Sequence, residues 1–116
     1  MDHKKLDIWN LSMEFAIDLY RIADQIPKSE QFGLISQIKR AATSVPANIA
    51  EGAARKGTKE LVHFLYISLG SLSELETHIE LAMRLGFLQN IDKQVEDLIH
   101  IRKKIINLIR TLETKI

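Results

Sequence analysis

Residues 91–116, IDKQVEDLIHIRKKIINLIRTLETKI, carry Ile91, Val95, Leu98, Ile99, Ile101, Ile105, Ile106, Leu108, Ile109, Leu112 and Ile116, spaced mostly at three- and four-residue steps. That period belongs to a helix with one apolar face. At about 100° per residue the set spreads over roughly 180°, wider than the arc of a little over 100° that one core face fills. Asp92 in the first turn and Lys115 near the end suit the helix macrodipole, and Asn90 is placed to cap the start.

Three more segments share this character. The first runs from about Lys5 to Ile26, where Pro27 biases its predecessor away from helix. Ser29 offers a cap for the second, expected from Glu30 to Ala54 with Pro46 inside it. Arg55-Lys56-Gly57 makes the next turn, and Thr58 is the expected cap of a third helix that reaches Leu85 and stops at Gly86. No run of β-branched residues alternates with polar ones, so no strand is expected. Helices of about 20–28 residues are roughly twice the globular mean, and short loops between them favour antiparallel neighbours. The expectation is all-α: one domain, residues 1–116, folded as an up-down-up-down antiparallel four-helix bundle. Pro46 cannot donate to the Ala42 carbonyl and its ring crowds that turn, at a cost of about 3 kcal/mol in an unadapted helix. A kink in the second helix follows, shaping something nearby.

The apolar arcs carry a further implication. In the first helix they span about 200°. A lone bundle would leave part of both faces wet, so a homo-oligomer is expected, with its interface on the first and fourth helices. The alternative is a wide face satisfied within one chain. Arg102 lies near the middle of the fourth helix's apolar arc. It must pair, for instance with a carboxylate of a neighbouring copy, or reach over the rim into water.

Chemistry is hard to find in this sequence. The absence of Cys removes thiolate metal sites and cysteine nucleophiles. Di-iron bundles need inward carboxylates with two Glu-x-x-His pairs, whereas Asp97 and His100 form one carboxylate-x-x-His on a polar flank. Glu74 and His78 stand four apart, and His3 and His63 are isolated. Ser44, Ser68, Ser71 and Ser73 lie in helices without a nucleophile elbow, and the last three suit close helix contacts beside Gly70. Gly52 and Gly57 flank a turn that lacks the ending of a phosphate loop. The expectation is a non-enzyme with no metal and no cofactor. MDHKKLDIWN lacks the apolar run of a signal peptide, so a cytoplasmic location is expected.

The formal net charge is +1, which by itself names no partner. Its distribution is uneven: −2 over residues 1–38, +4 over 39–59, −5 over 60–98 and +4 over 99–116. The turn between the second and third helices therefore reads as a basic knob of Lys39, Arg40, Arg55, Lys56 and Lys59, repeated once per subunit in an oligomer. The alternative is a solvated turn. On the second helix Gln37, Arg40, Ser44, Asn48, Glu51 and Arg55 form one polar stripe opposite Leu34, Ile38, Val45 and Ile49. Such a stripe suits a solvated face, a subunit-contact network or a phosphate-binding edge.

Ser44-Val45-Pro46-Ala47-Asn48-Ile49-Ala50-Glu51-Gly52, followed by Arg55-Lys56, resembles the signature of the 23S ribosomal RNA intervening-sequence proteins. Gly33-Leu34 with Gln37 to Ala42, Phe64 to Ser71 with Glu74 to Thr77, and Leu6-Asp7-Ile8-Trp9 are similar to the same pattern. The resemblance implies a bundle assembling into a ring-like homopentamer, with Ser44, Pro46, Asn48, Glu51, Gly52 and Arg102 as motif or interface residues. A related group, the accessory variability determinants of diversity-generating retroelements, implies nucleic acid and a reverse transcriptase as partners. Those proteins are strongly basic, and a net charge of +1 per subunit departs from them. Taken together, the sequence favours a non-enzymatic oligomeric scaffold contacting RNA through Lys39, Arg40, Arg55, Lys56 and Lys59. The alternative is a protein–protein interaction module with no nucleic-acid role.

Overall fold

The computed structural model describes residues 1–116 and contains four α-helices and no strand. They are α1 (Asp7–Ala23), α2 (Leu34–Ala54), α3 (Thr58–Arg84) and α4 (Asp92–Glu113), with short 3-10 turns at His3–Lys5 and Lys28–Glu30. Each helix packs on its neighbours in the chain, and α1 also packs on α4. No direct packing joins α1 to α3 or α2 to α4, so the four enclose one core. The molecule measures 46 × 23 × 20 Å, a rod about as long as α3 itself at ~1.5 Å per residue.

The apolar stripes read from the sequence meet along this rod. Leu19 of α1, Ile38 and Ile49 of α2, Leu65, Leu72 and Leu75 of α3, and Ile101 and Ile105 of α4 are almost wholly enclosed. Across α1 and α4, Lys93 bonds Asp18 at 3.2 Å and Lys104 pairs with Asp7. Across α2 and α3, Arg40 pairs with Glu74, and the Ser68 hydroxyl donates to the Val45 carbonyl at 3.0 Å.

Helix ends differ from the sequence expectation in ways that have local causes. The second helix starts at Leu34 rather than Glu30, because residues 31–33 form a turn and Gly33 takes a backbone conformation (φ −109°, ψ −113°) outside the helical region. Ser29 does not cap it. The Glu30 carboxylate does that work, accepting from the Leu34 amide at 3.3 Å. Thr58 is the first residue of α3, not its cap, and Gly57 holds the cap position with φ 87°. Asn90 adopts a left-handed conformation, φ 59°, and Ile91 stands at the cap of α4 without a side-chain bond. The first helix is likewise shorter, Asp7–Ala23 instead of Lys5–Ile26. Gly86 ends α3 as expected, at φ 79°, where a side chain would be strained.

The close helix approach is found at Gly52 and not at Gly70. A Cβ on Gly52 would lie 2.7 Å from Phe64 Cβ, whereas nothing stands within 4 Å of the corresponding point on Gly70. Of the three serines near Gly70, Ser68 is buried and Ser73 is exposed.

Candidate nucleic-acid interface and an apolar groove

The five basic residues expected to form one knob occupy two places. Lys39 and Arg40 lie about 24 Å from Arg55 along α2, at ~1.5 Å per residue. Lys39 holds its ammonium 4.9 Å from the centre of the Tyr20 ring. Arg40 pairs with Glu74 and donates to Gln37 at 2.9 Å, and the Glu74 carboxylate stands 3.8 Å from His78 Nε2. Both cations near the middle of the rod therefore have partners within the chain.

At the α2–α3 turn the arrangement is more open. Arg55 bonds Glu51 one turn back at 2.7 Å and sits 5.1 Å from the Phe64 ring centre. Lys56 and Lys59 are exposed and make no ion pair. The Met1 amino group donates to the Ala53 carbonyl at 3.0 Å, bringing the start of the chain against this turn. Nothing in the sequence pattern marks that contact.

The polar stripe of α2 lies along the seam with α3. Arg40 meets Glu74, Arg55 covers Phe64, and Ser44 and Asn48 between them are half-buried, with Asn48 donating to the Ser44 carbonyl at 2.8 Å. Glu51 is held by Arg55, and Pro46 is buried on the side of α2 that faces α1. Arg102 pairs with Glu76 of its own chain at 2.8 Å, so neither a neighbouring copy nor bulk water is needed to satisfy it.

Two hollows flank α1. Between α1 and α4 a charged recess of about 420 Å³ holds Glu14, Asp18, Arg21, Lys93, Asp97 and His100. Hydrogen bonds that the Lys93 ammonium donates to Asp97 and then to Asp18 raise its pKa above the ordinary lysine value. Asp97 is thereby engaged by an ammonium, and no three His, Asp or Glu side chains converge to hold a metal ion. Between α1 and α2 an apolar groove of about 660 Å³ is walled by Trp9, Met13, Ile17 and Tyr20 on one side and Pro46, Ala47 and Ala50 on the other. The alanines and Pro46 beside Thr43 are its signal in the sequence: small side chains on a helix face next to a wide apolar arc. No helix is long and apolar enough to cross a membrane.

A family model described as "23S rRNA-intervening sequence protein" matches residues 4–111. A search of curated proteins finds no match. Among solved structures, the fold is similar to that of a protein of unknown function from the S23 ribosomal protein family of Bacteroides thetaiotaomicron. The TM-score is 0.82 and the sequence identity 25%, over 95% of this chain and 99% of that one. With the family model covering three helices whole and nearly all of the fourth, the chain belongs to the 23S rRNA-intervening sequence protein family.

Proposed function

We propose that this chain is a non-enzymatic, cytoplasmic scaffold that assembles as a ring of copies, five by family resemblance, and binds RNA at the α2–α3 turn. The observation that carries the RNA reading is the exposed, unpaired state of Lys56 and Lys59 beside Arg55. Lys39 and Arg40 contribute less, because each already has a partner in the chain. The up-down-up-down order and a bend at Pro46 belong to the same reading. Opposed ion pairs on α1 and α4, Asp7 with Lys104 and Asp18 with Lys93, support antiparallel neighbours. So do the short connections, of which Arg55-Lys56-Gly57 is the tightest.

One subunit offers few phosphate contacts, but several linked turns gain avidity where one strand can span them. Beside Arg55 stand only the half-buried Phe64 ring and, edge-on to it, the His63 ring, too few for a stacking platform, so recognition rests on the phosphate backbone and shape.

Fluorescence anisotropy with single-stranded RNA across a salt series tests this. Each Lys removed in Lys56→Glu and Lys59→Glu is expected to lower the salt slope by about 0.7 per subunit contacting the strand. Unchanged affinity in the double variant, or no binding at low salt by the intact oligomer, overturns the RNA reading. The second reading, a protein-interaction module with no nucleic-acid role, would then stand.

A further inference from the structure

We propose that copies of this chain join head to tail, the α1–α2 groove of one copy receiving the α3–α4 face of the next. This rests on the oligomeric reading above and names its two surfaces. The groove leaves large apolar side chains wet: Ile17 is 49% exposed, with Met13 and Tyr20 beside it. Its second wall is low, because Ala47 and Ala50 carry only methyl groups, and that leaves room for a helix to approach. Arg21 lines the groove and Lys39 lies over the Tyr20 ring. Both lack an ion pair within the chain, and no carboxylate lines this hollow.

The α3–α4 pair lies on the opposite side of the bundle, since α1 packs on α2 and α4 but not on α3. There Val95 and Met83 line a shallow hollow between the two helices. Ile99, one turn beyond Val95, is 41% exposed. Asp92 and Glu96 flank this apolar strip on α4, and neither has an ion-pair partner in the chain. An apolar strip with unpaired carboxylates thus matches an apolar groove with unpaired cations. On this acidic side Arg102 is already paired with Glu76, and Lys103 stands four residues past Ile99.

Groove-to-groove pairing would instead bring Arg21 and Lys39 against their own copies, a like-charge contact that disfavours a two-fold arrangement. Two different surfaces on opposite sides give a heterologous interface, which closes into a ring when each copy is rotated by a fixed angle from the last.

Sedimentation analysis of two variants and their mixture tests this. Ala47→Glu places a carboxylate in the groove, at an exposed position. Val95→Gln/Ile99→Gln removes the apolar strip while keeping good helix formers. Each alone is expected to sediment as the single 13.3 kDa chain with its helical circular dichroism intact. A 1:1 mixture retains one sound groove and one sound strip, so it is expected to form a heterodimer of twice that mass and nothing larger. Should Ala47→Glu lose its helicity, Arg21→Glu on an exposed side chain takes its place, with the same loss of assembly expected. A wild-type oligomer whose mass survives both variants, or a mixture that stays monomeric, overturns the head-to-tail assignment while the oligomer stands. A monomeric wild type overturns the oligomeric reading itself, and this inference with it.

Discussion

Gly52 of α2 and Phe64 of α3 approach so closely that a Cβ on the glycine would sit 2.7 Å from the Phe64 Cβ, with the Leu61 carbonyl oxygen only 3.3 Å away. Both neighbours belong to the body of α3, so neither can swing aside. Gly52→Ala is expected to force the helices apart, costing about 1–3 kcal/mol by overpacking, less up to ~1 kcal/mol of helix propensity gained. Gly70→Ala meets open space in mid-helix and is expected to stabilise by about 0.5–1 kcal/mol. Urea denaturation of the two variants gives opposite signs if the seam is as described.

Two buried serines make a second contrast. Ser68 donates to the Val45 carbonyl on the facing helix, one residue before Pro46, whereas the Ser12 hydroxyl is buried with no partner. Ser68→Ala is expected to destabilise by about 1 kcal/mol. Ser12→Ala removes an unsatisfied polar atom and is expected to be neutral or stabilising. Equal losses at both sites, measured by denaturation, would contradict this assignment of partners.

The α1–α4 recess predicts an alkaline limb. Lys93 bridges Asp97 at 2.8 Å and Asp18 at 3.2 Å, which raises its pKa in the folded state above the ordinary 10.5. A raised pKa gives stability that is fully present below the unfolded value and lost as pH climbs through the folded one. Stability should therefore fall above about pH 10.5, and Lys93→Met should flatten that fall. The effect is small, because the ammonium is solvent-exposed. Thermal melts between pH 8 and 11.5 in both proteins compare the slopes.

Arg40 and Lys59 carry the same charge, but only the first is neutralised by a carboxylate in its own chain. Arg40→Ala is expected to leave the salt slope of RNA binding within error, while Lys59→Ala lowers it by about 0.7 for each subunit in contact. Equal slopes for the two variants would return Arg40 to the binding surface.

These contrasts also mark what the sequence carries and what it lacks. Helix number and core faces follow from the 3.6-residue spacing of residues such as Leu98, Ile101, Ile105 and Ile109, and Gly86 announces the end of α3 by its conformational freedom. The start of α2 is not legible in the same way. Its cap is the carboxylate of Glu30, which reaches forward four residues over a glycine, and short-range cap rules favour the wrong residue, Ser29. The basic residues divide for a geometric reason: Lys39 and Lys59 are near in the count, yet about four turns of α2 separate the two ends of that segment. Glu74, which neutralises Arg40, comes from α3, and no local pattern announces such a pairing. Arg102 is the same case, with its carboxylate supplied by Glu76 across the α3–α4 seam.

Trp9 is the only tryptophan of the chain, and its half-buried indole forms part of the wall of the α1–α2 groove, edge-on to the His3 ring at 4.9 Å. The molecule therefore carries a built-in optical reporter at that surface. Anything that enters the groove and expels water from the indole shifts its emission to shorter wavelength. A ligand held only at the α2–α3 turn leaves the spectrum where it was.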